Sequence, residues 1–193
     1  MDPIQILVQH IRQFIPLEDP DAEKIKNHFI PLSKKKKTFL LKERQVCHAR
    51  YFVAKGCLRM FFLKENGTEQ ITQFAIENWW IADFMSLSRQ QPSHFFIQAI
   101  EDSEIIQLRV SSEVPLFQAV PSMERYFRQV TERAYAASQF RIKFLYDFSR
   151  EELFRHFMES YPEFAQRIPQ YMLASYLGFT PEYLSEIRKR SIS

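Results

Sequence analysis

Glycine is scarce in this chain: three in 193 residues, Gly56, Gly67 and Gly178. Each falls where a turn is expected. Gly56 separates two apolar runs, Gly67 completes the hairpin dipeptide Asn66-Gly67, and Gly178 ends an apolar helical stretch. None is left for a glycine-rich loop that could cradle a phosphate. Cysteine is scarcer still, with only Cys47 and Cys57. In a chain whose amino terminus has no signal-peptide pattern, two thiols read as reduced and structural, and they are too few for an all-cysteine iron–sulfur cluster. No apolar run approaches the ~20 residues of a membrane helix. A cytoplasmic protein with no membrane partner is expected. No serine, histidine and aspartate set and no metal-ligand set is spaced convincingly, and Cys47 and His48, adjacent on a strand, would point to opposite faces. The expectation is a protein that is not an enzyme, with no cofactor and no metal.

Excess charge is also lacking. A formal net charge of +3 gives little general attraction to nucleic acid. The densest cationic run, Lys34-Lys35-Lys36-Lys37, reads as a solvated edge or strand start. From Ser149 onward six arginines and lysines face six glutamates. Affinity for DNA from that segment would have to come from placement and dimerisation.

What the chain does have is apolar pattern, at 46% of its residues enough for one large or two modest cores. Ile4, Leu7, Val8, Ile11, Phe14 and Ile15 recur at helical spacing and are closed by Pro16 and Pro20. A second helix is expected from Asp21, with Ala22, Ile25, Phe29 and Ile30 on one face, stopping before Pro31. Between Lys37 and Arg109 the pattern changes to short runs rich in β-branched and aromatic residues, at 38–41, 49–55, 57–63, 70–76, 95–100 and 104–108. Strands at that spacing predict an antiparallel sandwich or barrel. Helical spacing returns at 114–117, and after Pro121 one helix of some 25 residues, roughly 38 Å long, runs to about Asp147. Its drifting apolar face includes Phe127, Val130, Ala134 and Ala137. A rod of that kind either joins two copies of the chain, with those four residues at the interface, or lies across the barrel of one copy; two-fold symmetry favours the first. Ser149-Arg150-Glu151-Glu152 is a capping box that opens another helix, which makes Asp147-Phe148-Ser149 the expected hinge. The remaining ~45 residues are near the lower limit for independent folding and are expected to lean on the long helix.

The most informative run is Arg167 to Arg190. Tyr171, Met172, Ala174 and Leu177 make one short helix ending at Gly178; Thr180 is a good N-cap, Pro181 fits the first helical position, and Tyr183, Leu184 and Ile187 stripe a second helix. The layout is that of a helix-turn-helix whose second helix enters the major groove, or of a helical hairpin that only packs. The first is favoured by the polar face left over: Thr180, Glu182, Ser185, Glu186 and Arg188 have no apolar duty, and such a face suits base edges and phosphates. Gln170, Pro181, Lys189 and Arg190 complete the candidate DNA-binding set.

Helices, a β region, a long helix and a helix-turn-helix, in that order, resemble the CRP/FNR superfamily of bacterial transcription regulators. The specific parts are Trp79-Trp80-Ile81-Ala82-Asp83-Phe84, Ile97-Gln98-Ala99-Ile100-Glu101-Asp102-Ser103-Glu104 and the run Ala174 to Arg188, and they look most like the branch common in Bacteroidetes-type bacteria. The resemblance implies an α+β protein: a cyclic-nucleotide-binding-like jelly-roll sensor domain over 1–120, a dimerisation helix over 121–148 and an all-α DNA-binding domain over 149–193. It also implies a homodimer on palindromic double-stranded DNA, RNA polymerase as a further partner and a small-molecule effector of unspecified kind. The family's nucleotide turns, Gly-Glu and Arg-Ser/Thr-Ala, align with Ala82-Asp83 and with Ser93-His94-Phe95. Only an acid is kept. Without the arginine no bidentate partner meets a cyclic phosphate, so cyclic AMP and cyclic GMP are not expected to bind. Phe84, Phe95, Phe96 and Trp79 or Trp80 would line a pocket for an apolar ligand, or fill it. Two departures touch the output end. Glu186 stands where the family usually has an arginine, and a C-terminal wing after the recognition helix is not expected. Arg188, Lys189 and Arg190 would restore phosphate contacts, whereas a decayed DNA interface would leave a ligand-sensing or protein-interaction module of the same fold.

Overall fold

Asp2 sets the first helix. Its side chain accepts the Ile4 amide at 3.1 Å and Pro3 takes the first helical position, so α1 runs Pro3–Arg12. The computed structural model describes residues 2–192. The second helix, α2 (Asp19–Lys26), is shorter than expected: Phe29 and Ile30 are not helical but begin strand β1 (Phe29–Lys34). The reason is that Phe29 finds a buried place opposite Leu108, and Pro31, which has no amide hydrogen to give, is tolerated because β1 is an edge strand paired only with β8 (Ser103–Arg109).

The other strands are β2 (Phe39–Leu41), β3 (Ala49–Lys55), β4 (Leu58–Leu63), β5 (Glu69–Ala75), β6 (Trp80–Ile81) and β7 (Phe96–Ala99). They form two antiparallel four-stranded sheets, in the orders β1-β8-β3-β6 and β2-β7-β4-β5. The fold is α+β, a jelly roll with flanking helices. Val53, Leu58, Ile97 and Ile105 fill the space between the sheets. The two-residue β6 is too short to show a period. Gly56 turns the chain from β3 to β4 at a φ of +109°, where a Cβ would lie 2.3 Å from the Ser103 hydroxyl oxygen; only glycine fits.

Helices α3 (Phe84–Arg89) and α4 (Val110–Ala119) follow β6 and β8, and α5 (Ser122–Asp147) is the long helix. Its first turns bury Met123, Tyr126 and Phe127 against α1 and the outer face of β3 and β6, through Phe52 and Trp80. Residues 131–140 are all exposed. Past it lie α6 (Arg150–Ser160), opened by the expected capping box, α7 (Pro162–Arg167), α8 (Gln170–Leu177) and α9 (Pro181–Ile192).

These last four helices do not depend chiefly on α5, as the sequence suggested. Phe154, Phe157, Met172, Leu173 and Leu177 share one apolar cluster with Cys57, Phe61, Ile71, Phe74 and Ile100, on the outer face of β4 and β5. The α5 contribution is narrower, a T-shaped contact of Phe144 with His156 and the side chain of Arg141. The cause lies in the strands, whose outward residues here are apolar and need a cover.

Candidate nucleic-acid interface and sensor pocket

Helix α8 ends at Gly178, whose φ of +79° lets the following Phe179 amide donate back to the Ala174 carbonyl at 2.8 Å. Two residues later the Thr180 hydroxyl accepts the Tyr183 amide at 3.2 Å, and Pro181 opens α9. Of the expected apolar stripe Met172, Ala174, Leu177, Leu184 and Ile187 are buried, Tyr183 is half-buried and Tyr171 is exposed, with Leu173 buried on the first helix instead. On the other side Gln170, Thr180, Pro181, Glu182, Ser185, Glu186, Arg188, Lys189 and Arg190 are all exposed. Gln170, Pro181, Ser185, Arg188 and Lys189 line one groove of about 270 Å³. Candidates from two helices thus meet on one surface, with Gln170 brought beside α9 by the bend at Gly178. One pairing was not foreseen: Arg190 donates to Glu186 one turn earlier, so these two charges largely cancel.

The nucleotide turns come together as well, but on each other. Asp83 is buried and caps α3, its carboxylate accepting the amides of Met85 at 3.0 Å and Ser86 at 3.2 Å and the Ser93 hydroxyl at 2.6 Å. An acid so engaged has little left to offer a ribose. Ala82 and Ser93 are buried, and His94 is exposed. Phe95 sits edge-on to Phe62 at 6.1 Å. Phe84, on α3, is exposed with the Arg50 guanidinium over its ring at 5.5 Å. Arg50 itself is held by Glu113 at 2.6 Å. Three of the rings expected at the pocket lie elsewhere. Phe96, at the start of β7, stacks on Phe61 at 4.9 Å and packs against the cluster that the last four helices cover. Trp80 belongs to the core under α1 and α5, and Trp79 is exposed.

Of the four residues expected at a dimer interface, Phe127 is committed to its own protomer, 5.2 Å from Trp80 and 6.0 Å from Phe117, and Val130 is half-buried against the same core. Ala134 and Ala137 are exposed. So are Tyr135, Phe140, Ile142 and Leu145, which extend an uncovered apolar surface down the helix.

Sequence reasoning missed a buried polar chain. The Trp80 indole N–H donates to the Tyr126 hydroxyl oxygen at 2.8 Å, and that hydroxyl lies 2.9 Å from Nδ1 of His10. Burial, helped by the charge of Arg133, pulls the His10 pKa down to about 4, so the imidazole is neutral, and its tautomer sets which of Nδ1 and the hydroxyl is the donor. No local pattern joins residues 10, 80 and 126. Nor could pattern pair Arg167 with Glu77 and Glu101. Burial works to raise the Glu77 pKa, yet hydrogen bonds from Arg167 and the Gly56 amide bring it down to about 2.

Among the described residues no helix is long and apolar enough to cross a membrane. No curated protein matches the chain in sequence. Solved structures do match in fold. The c-di-GMP-responsive global regulator CLP of Xanthomonas campestris is 11% identical, with 90% of this chain and 91% of that one covered at a TM-score of 0.73. FixK2 of Bradyrhizobium japonicum is 18% identical over 84% of this chain and 83% of its own, at 0.69. The catabolite activator protein of Thermus thermophilus is 17% identical over 98% of this chain and 86% of its own, at 0.57. Residues 31–118 match the cyclic nucleotide-binding domain family, and around that domain the chain has the fold of the CRP/FNR-type transcription regulators.

Proposed function

We propose that the protein is a homodimeric, sequence-specific DNA-binding transcription regulator of CRP/FNR type, of the Bacteroidetes-type branch its motifs resemble, with a nucleotide pocket that binds neither cyclic AMP nor cyclic GMP. The observation that carries the reading is the exposed polar surface of α9, flanked by Gln170 and backed by a buried apolar stripe. A helix held from behind and polar in front is built to enter a groove. Glu182 and Ser185 would face base edges, and Arg188 and Lys189 the phosphates. The exposed half of α5 supports a second copy, with Ala134, Ala137 and Tyr135 rather than Phe127 at its centre. The pocket reading rests on Asp83 already satisfied by Ser93 and by two amides, with Ser93 where the family places its arginine.

The pairing of Arg190 with Glu186 favours a second reading, a ligand-sensing or protein-interaction module without DNA affinity. Selection from random duplexes at low salt, with no added ligand, separates the two. The regulator should enrich a palindrome with half-sites about one helical turn apart and lose affinity steeply with salt. Arg188→Ala should weaken binding to all sequences alike, and Glu182→Ala should alter base preference. Failure to enrich any sequence, with and without cell extract as a source of effector, would leave the second reading standing.

A further inference from the structure

Strand β5 is an edge strand, paired on one side with β4 and open on the other. An edge leaves backbone donors and acceptors that must find partners. Here the partners come from the helix-turn-helix and from the long helix. The Ile71 amide donates to the Ser175 hydroxyl oxygen at 2.9 Å, and that hydroxyl donates to the Glu69 carbonyl at 2.7 Å. The side-chain amide of Gln70 donates to the Ser175 carbonyl. From α5, Arg141 donates to the Thr72 carbonyl and, at 2.9 Å, to the Tyr176 carbonyl, with its guanidinium 4.0 Å over the Tyr176 ring. Ser175 and Tyr176 lie on α8, one turn before Gly178.

We propose that Arg141 and Ser175 are positioning residues for DNA recognition: they fasten the first helix of the helix-turn-helix to the open edge of β5 and to the long helix, and so set where α9 is presented. The inference rests on the DNA-binding reading above. Three properties of the contact suit this role. It is directed at backbone groups, so it fixes distance and angle rather than merely burying surface. It ties the helix that would carry the dimer axis to the helix that leads into the groove. And it sits on an apolar cluster that already holds the parts together, so the polar bonds are free to specify orientation. Arg167, at the end of α7, braces the same unit from the other side through Glu77 and Glu101. None of these residues belongs to the exposed α9 surface.

The test uses the full-length protein and two readouts. Amide hydrogen exchange of the segment around Ile71, without DNA, reports whether the clamp holds. Ser175→Ala should accelerate it about tenfold, and Ser175→Thr, which keeps the hydroxyl, should restore protection. Binding to the selected palindrome and to versions with one, two or five base pairs inserted between half-sites reports positioning. The wild-type preference for one spacing should fall about tenfold in Ser175→Ala and Arg141→Gln and return in Ser175→Thr. Faster exchange with an unaltered spacing preference would overturn the proposal, as would exchange that does not change. If the wild type enriches no duplex, the DNA reading fails and this role fails with it, while the exchange arm still shows whether the clamp exists.

Discussion

Removing one oxygen atom, in Tyr126→Phe, should destabilise this protein out of proportion to its size. The Tyr126 ring is fully buried, and among the described residues its hydroxyl is the one partner of the Trp80 indole N–H and of Nδ1 of His10. Phenylalanine fills nearly the same volume, so the cost is not a cavity. It is two buried polar groups left without partners, at ~1–3 kcal/mol each. Allowing for a change of His10 tautomer or a small shift of its ring, the loss should be about 2–4 kcal/mol. For a chain of 193 residues that is a fall in Tm of roughly 5–15 °C. Urea titration should show a lower midpoint with an unchanged slope. A loss below about 0.5 kcal/mol would refute the reasoning, because it would mean that neither bond is made in solution.

The same chain predicts a pH dependence. His10 is neutral in the folded protein down to about pH 4, while in the unfolded chain it has its ordinary value of 6.5. Below 6.5 the unfolded state therefore takes up a proton that the folded state refuses. Stability from this site is undiminished above pH 6.5 and declines as the pH falls from there towards 4. His10→Gln should flatten that part of the curve, and an unchanged profile would remove His10 as its source.

Gly56→Ala should cost about 3 kcal/mol or more, since the new methyl group would meet Ser103 at 2.3 Å on a backbone at a φ of +109°; a denaturation midpoint equal to the wild type would show that the β3–β4 turn is not as described. Ala134→Glu should halve the mass measured by light scattering with folding intact, because Ala134 is exposed in its own protomer; a surviving dimer would move the interface elsewhere. A fragment of residues 149–193 should fail to fold alone, as circular dichroism would show, because its core is completed by Phe61, Ile71 and Phe74; cooperative melting of the fragment would contradict that.

The local code of the chain was largely legible. The periodic apolar residues of α1 and α5, the capping box at Ser149, and the Gly178 and Thr180-Pro181 signals of α8 and α9 all act within a few residues, where backbone preference and side-chain spacing decide the outcome. Six of the eight strands among the described residues were legible too, since alternation is a property of consecutive residues. The misses have one cause. Phe29 and Ile30 fit a helical face as well as a strand, and only the presence of β8 beside them chose the strand. Phe127 reads as interface in an isolated helix, and only Trp80 and Phe117 turn it inward.

The candidate sites divide in the same way. That α9 has a polar face follows from its own sequence. That Gln170 joins that face, that Asp83 is satisfied by Ser93, and that Trp80, Tyr126 and His10 form one chain depends on residues ten to more than a hundred positions apart. The sequence determined which segments are helices or strands and which surface is polar, because those are short-range choices between backbone conformations. The tertiary structure alone decided which polar groups satisfy one another and where the helix-turn-helix rests. A buried donor must be paired wherever the fold places it, and no local pattern carries the address of its partner.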